Sequence, residues 1–240
     1  MAPAPIAAVL LDVGGTLWPD GWPWLPDDHE VRGERLRAAL PELRPGQATE
    51  LLHELDRTAA SFTDRVEQDP GDYVGGPLRR FGVEPTAKRI AAVVDAMCLP
   101  AHPLVRLFPG APELLRALRG AGLRAVVVSN AYWRSGAAYR RDFNDLGVAA
   151  EIDAYVSSLD VGLRKPHRAM FDAGLQAAGV PAGRCAMVGN SEDKDVVPAR
   201  ALGLRTILVA IERPPPPATQ ADAVVTSLDE ATRILTAWSQ

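Results

Sequence analysis

The chain has 240 residues, a formal net charge of −4, and 47% hydrophobic and 23% charged side chains. That is the balance of an ordinary globular protein, long enough for one large domain or a core with an inserted subdomain. Lys and Arg form no run, which argues against a nucleic-acid groove, and no stretch approaches the roughly eighteen apolar residues of a membrane span.

The start, MAPAPIAAVLLDV, lacks a basic segment and its apolar run is cut at Asp12, so it reads as a buried strand rather than a signal peptide. Cys98 and Cys185 stand far apart in no metal-ligand spacing. The expectation is two small buried thiols in a cytoplasmic chain.

Residues 6–11 form the first apolar run, ending in Asp12 and the turn Gly14-Gly15-Thr16. A connector follows in which Pro19, Pro23 and Pro26 prevent regular structure. Only helical patterns come next: Leu51, Leu55, Ala59, Phe62 and Val66 share one face. Ile90, Val93, Val94 and Met97 share another, behind Pro85 at an expected helix start. Leu114, Leu115 and Leu118 mark a helix stopped by Gly120 and Gly122, and residues 123–128 read as a second strand. Residues 152–156, 185–188 and 205–209 are further short aliphatic runs, with Met170, Phe171, Leu175 and Ala178 at helical spacing between them. Strands alternating with helices predict an α/β, Rossmann-like parallel sheet covered on both faces. Residues 18–104 interrupt that alternation as an inserted α-helical module. Near the end, RPPPPA (residues 213–218) reads as a stiff surface loop.

An Asp-x-Gly-Gly-Thr turn opens two unrelated chemistries: the ATP-phosphate hairpin of sugar kinases and the nucleophile turn of certain hydrolases. The hairpin needs an immediate return strand, which Leu17-Trp18-Pro19 cannot supply. The other stations of the hydrolase pattern occur in order. Ser129 and Asn130 close the run RAVVVSN, Lys165 stands before Pro166, and Asn190, Glu192, Asp193 and Asp195 follow CAMVG. On these motifs the chain resembles the haloacid dehalogenase-like hydrolase superfamily, in the branch with a helical cap between the first and second motifs. The core is then 1–17 and 105–240, and the cap 18–104.

The resemblance implies a Mg²⁺-dependent phosphatase of a small phosphorylated metabolite. Asp12 is the nucleophile, and Ser129, Asn130 and Lys165 bind phosphate. Asp12, the Gly14 carbonyl, Asn190 and Asp195 hold the metal, while Glu192 and Asp193 are solvated or cap the next helix. Two positions depart from the phosphatase pattern. Gly14 stands where the general acid is an Asp, and Asn190 where the first acid of the fourth motif is an Asp. Two alternatives therefore stand beside the phosphatase: a metal-independent 2-haloacid dehalogenase, and a catalytically weakened binding or regulatory protein. Asp20, Asp27, Asp28 and His29 are the candidates for replacing the missing acid. Trp18, Trp22 and Trp24 are expected to form a hinge or wall the substrate pocket. Arg79, Arg80 and Lys88 read as solvated cap positions, and His53, His102 and His167 carry no spacing signal.

Overall fold

The computed structural model describes residues 4–20, 28–61 and 66–240; the predictions for Trp22, Trp24, Asp27 and Phe62 fall outside them. β1 (Ala8–Leu11), four aliphatic residues with none exposed, lies inside a six-stranded sheet. With β2 (Arg124–Ser129), β3 (Ala154–Ser157), β4 (Cys185–Gly189), β5 (Arg205–Val209) and β6 (Ala223–Val225), the order is β3-β2-β1-β4-β5-β6. All neighbours pair parallel.

The helices, in chain order, are α1 (Asp28–Ala39), α2 (Gln47–Ser61), α3 (Pro70–Arg80), α4 (Ala87–Met97) and α5 (Ala111–Gly120). After β2 come α6 (Gly136–Asp145), α7 (Ser158–Val161), α8 (Arg168–Ala178), α9 (Val197–Ala201) and α10 (Leu228–Trp238). A strand covered on both faces must be apolar at both parities, and β1 shows why. Ala8 and Leu10 pack with Met170 and Phe171 of α8, whereas Val9 and Leu11 join Leu114, Leu118, Phe143 and Leu235 from α5, α6 and α10. The four helices α1–α4 close a separate cluster around Leu51, Leu55, Tyr73, Leu78, Val93 and Met97, on which Tyr132 and Trp133 lean from the sheet side.

The chain leaves β1 toward β2 on one side and later crosses to β4 on the other. The β1/β4 boundary is therefore the switch point where an open parallel sheet leaves a crevice at its strand ends. Leu11 is in register with Val127 and Val188, so Asp12, Ser129 and Asn190 leave the sheet at one edge.

Several elements differ from the sequence expectation. α2 ends at Ser61, and Val66 lies in a connector whose carbonyl accepts from Arg164 N. α4 begins at Ala87 with Thr86 as its cap, placing Pro85 outside the helix; the threonine oxygen satisfies an orphan N–H that a proline cannot. β6, the three residues Ala223–Val225 with Val224 exposed at the sheet edge, is too short for the sequence reading to mark as a strand. α6 and α10 were unread, although Ser135 and Ser227 cap them, the latter from the capping sequence Ser227-x-x-Glu230.

Candidate active site

Lys165 is the centre of the strand-end crevice. Its ammonium donates to Asp12 Oδ1 at 2.6 Å, Asp195 Oδ1 at 2.7 Å and the Val128 carbonyl at 2.8 Å. An ammonium has three protons, and all three are committed within the protein. Lys165 therefore has no proton left for a further hydrogen bond and offers its surroundings only its charge. Asn130 holds the lysine loop in place: Oδ1 accepts from Lys165 N at 2.8 Å, and Nδ2 donates to Lys165 O at 3.0 Å. The amide expected alongside a phosphate is thus engaged at both ends by the backbone that carries Lys165.

Asp195 reaches the site because β4 ends in a wide helical turn, Glu192–Val196, in which Val196 N bonds back to Ser191 O. The turn folds Asp195 against Gly189, where a Cβ would lie 2.4 Å from the carboxylate carbon; only glycine fits there. Asp195 Oδ2 accepts from Ser191 N at 3.1 Å. Ser191, not Glu192 or Asp193, caps the turn by accepting from Lys194 N. Glu192 instead holds the proline loop, accepting from Thr219 Oγ1 at 2.6 Å and Gln220 N at 2.7 Å.

Ser129 closes β2 beside Asp12. Tyr139 of α6 donates its phenolic proton to Ser129 Oγ at 2.8 Å, and burial pushes the Tyr139 pKa up, so that proton stays on. A hydroxyl that accepts at one lone pair keeps its own proton for another acceptor. Tyr139 thereby aims the Ser129 O–H into the cavity. Tyr139→Phe frees the rotor for about 1 kcal/mol. The expected result is a KM rise of roughly 5- to 10-fold with kcat little changed; steady-state kinetics on any turned-over substrate checks it.

Burial raises the Asp12 pKa from 3.8 to about 6; Lys165 pulls it back and the Asp195 charge adds to the rise. For Lys165 burial pulls the other way, yet Asp12 and Asp195 outweigh it and hold the ammonium well above its ordinary value. The folded chain therefore binds the Asp12 proton more tightly than the unfolded chain does. The stability this contributes is fully present below about pH 4 and is lost as pH rises through about 6. Its size is on the order of 3 kcal/mol. In EDTA, the melting temperature of Asp12→Asn should gain on the wild type between pH 4 and pH 7. A difference that stays flat with pH would remove Asp12 as the titrating group.

Two cavities meet at these residues. One, of about 480 Å³, contains Asp12, Lys165, Asn190, Asp195 and the loop residues Arg213, Pro214 and Pro216. The other, of about 670 Å³, runs under α1 and α2 and is walled by Trp18, Tyr132, Trp133, Arg134 and Tyr139, with His29 from α1 and Asp56 from α2. Trp18 lines this cavity and stacks on Phe143 of α6, with ring centroids 5.2 Å apart, within the core of the sheet domain. Asp12, the Gly14 backbone, Asn190 and Asp195 bring hard oxygen donors to the smaller cavity. Among the described residues, no three His, Cys, Asp or Glu side chains gather as a cage.

The other sequence candidates scatter. Asp28 is buried against Arg32 at 2.9 Å, with Asp56 on the same guanidinium. Arg80 of α3 pairs with Glu54 of α2 at the surface. His53 stands against His29, with ring centroids 5.1 Å apart, and His167 caps α8 through Nδ1. Lys88 lies on α4, facing a groove with Glu42, apart from the strand ends. Residues not singled out from the sequence also matter. Thr16 Oγ1 lies 3.4 Å from Asp12 Oδ2, and its place in the glycine turn was the available signal. Gln68 ties the second connector to the core, donating to Ala131 O and accepting from Ser158 Oγ at 2.8 Å; no sequence pattern marks it.

Comparison with known proteins agrees with this geometry. A family model described as haloacid dehalogenase-like hydrolase matches residues 6–203. The chain is 32% identical over 158 residues to pyrimidine 5'-nucleotidase YjjG of Escherichia coli, covering 65% of this chain and 66% of that one. It is 30% identical over 110 residues to glyceraldehyde 3-phosphate phosphatase of Methanocaldococcus jannaschii, covering 44% and 45%. It thus spans less than two thirds of either relative. Among solved structures, the fold is shared with a HAD phosphatase from Thermococcus onnurineus (TM-score 0.62, 20% identity, 96% and 98% covered). It is shared equally with 2-haloacid dehalogenase from Pseudomonas syringae (TM-score 0.64, 21% identity, 97% and 99% covered). With Asp12, Lys165 and Asp195 converging on the strand ends, the chain belongs to the haloacid dehalogenase-like hydrolase family.

Proposed function

We propose that the protein is a Mg²⁺-dependent phosphatase of small phosphorylated metabolites, with Asp12 as nucleophile. The carrying observation is the buried Asp12–Lys165–Asp195 triad, in which one cation faces two carboxylates. With both acids ionised the triad keeps one net negative charge, and a divalent cation beside it would relieve the cost of that burial. Asp12, the Gly14 carbonyl, Asn190 and Asp195 would hold Mg²⁺ together with water. When bound, it neutralises charge on the phosphoryl oxygens.

Asp12 Oδ2, the oxygen not held by Lys165, attacks phosphorus. A P–O bond to Asp12 forms as the ester P–O bond breaks, and water then cleaves the acyl-phosphate to return Asp12 and inorganic phosphate. Lys165 keeps Asp12 ionised and aligned, and Ser129 donates to a phosphoryl oxygen. The larger cavity receives the alcohol part of the ester beneath the cap helices, which keep bulk water out. The names of the Escherichia coli and Methanocaldococcus relatives, a nucleotidase and a phosphatase, support the phosphoryl reading.

Phosphate release across a panel of phosphorylated metabolites, with and without Mg²⁺, tests this against Asp12→Asn. Release that requires Mg²⁺ and Asp12 is the expected result. One observation favours a second reading, in which Asp12 displaces halide from carbon. Gly14 removes the general acid, Asn190 removes one acid from the metal side, and both Asp195 oxygens are engaged by Lys165 and Ser191. Halide release that EDTA does not affect would establish it. Ligand binding without either product would make the chain a binding protein.

A further inference from the structure

We propose that Asp20 is the acid–base group of this site, supplied from the connector in place of a side chain at position 14. The proposal rests on the phosphatase reading above. Cleaving an alkyl phosphate leaves an alkoxide that needs a proton, and opening the acyl-phosphate needs a deprotonated water. Lys165, Asp12 and Asp195 are tied to one another and cannot serve.

The geometry singles out Asp20. A Cβ placed on Gly14 would have Asp20 Oδ1 as its nearest neighbour, at 3.3 Å. The carboxylate of residue 20 therefore stands at the mouth of the space that a side chain on residue 14 would enter. Among the described residues, Gly14, Asp20, Ser129 and Asn130 line both cavities. With the phosphoryl group in one cavity and the alcohol in the other, the bridging ester oxygen passes these four. Among them only Asp20 can exchange a proton.

Asp20 is also held in orientation. Its backbone N donates to Glu212 Oε2 at 2.8 Å, and its Oδ2 accepts from Arg213 Nη2 at 2.7 Å. Oδ1 is left facing Gly14. The other acids are placed differently: Glu192 holds Thr219 and Gln220, and Asp28 is buried on Arg32. His29 and Asp56 line only the larger cavity.

In the first step Asp12 Oδ2 bonds to phosphorus and the Asp20 carboxyl gives its proton to the departing ester oxygen, releasing the alcohol. In the second step the Asp20 carboxylate takes a proton from water as the water oxygen bonds to phosphorus. The Asp12–phosphorus bond breaks, and both aspartates return to their starting states.

The test compares an alkyl ester, β-glycerophosphate, with p-nitrophenyl phosphate, whose leaving group departs without a proton. With Asp20→Asn, turnover of the alkyl ester should fall about 10²- to 10⁴-fold. On the aryl ester the first step should survive, so the variant accumulates with the added mass of one phosphoryl group on Asp12. Adding Gly14→Asp to Asp20→Asn returns a carboxylate to the same space from the other side. It should recover alkyl-ester turnover at least tenfold, which repairing a loop contact would not do.

Two results overturn the assignment while leaving the phosphatase reading intact. One is alkyl-ester turnover within about threefold of wild type in Asp20→Asn. The other is an equal loss on both esters with no phosphorylated protein and no recovery in the double variant, the signature of a merely structural Asp20–Arg213 contact. Wild-type protein that releases phosphate from neither ester, nor from any metabolite in the panel, sinks both readings together.

Discussion

Lys165→Met is expected to cost about 3–5 kcal/mol of stability at pH 8, the range for removing one partner of a buried ion pair. The variant leaves Asp12 and Asp195, 8% and 1% exposed, facing each other without a cation, and leaves the Val128 carbonyl without its donor. Methionine replaces the aliphatic stem at similar volume, so the loss is electrostatic rather than a cavity effect. Against a total stability of roughly 5–15 kcal/mol, the loss would leave the fold close to unfolding at physiological temperature. Asp12 can escape by taking up a proton, because the Lys165 charge that now pulls its pKa down is gone. The defect should therefore shrink markedly between pH 8 and pH 5. Urea unfolding of both proteins at the two pH values measures it. An equal loss at both would mean that the triad charges do not govern stability here.

Asp12→Asn should separate chemistry from folding. Asparagine keeps the shape of the side chain, and Lys165 still donates to Asp195 and Val128, so the fold survives. What disappears is the oxygen that bonds to phosphorus. An amide is a poor nucleophile, and activity should fall by a factor on the order of 10⁴ or more. No phosphorylated protein should form with p-nitrophenyl phosphate, in contrast to Asp20→Asn. Activity retained in Asp12→Asn would remove the nucleophile from the mechanism, whatever the substrate.

The strand-end residues were legible in the sequence because a parallel sheet buried on both faces leaves a mark in the chain. Residues 6–11, 125–128 and 185–188 are apolar at both parities, and the first polar residue after each has reached the open edge. Asp12, Ser129 and Asn190 are such residues. Lys165 and Asp195 follow no strand directly, and they were found through their motifs. β6 escaped because its three residues, Ala223-Val224-Val225, are too few to stand out as a strand-length run. The donor Tyr139 lies ten residues beyond Ser129 on α6, and nothing at that spacing distinguishes it from any half-polar helical tyrosine.

By itself the sequence determined the α/β class, the strand-end positions and the absence of a side chain at position 14, since each is a local property of residue type and periodicity. The tertiary structure alone decided how those groups use their protons and charges. That Lys165 spends all three donors within the protein depends on Val128 of β2 and Asp195 of the turn after β4 arriving at one point. That Asp20 faces Gly14 depends on Glu212 and Arg213, some 192 and 193 residues farther along the chain. Hydrogen-bond saturation and through-space charge are properties of three-dimensional distance, and sequence separation carries no measure of it.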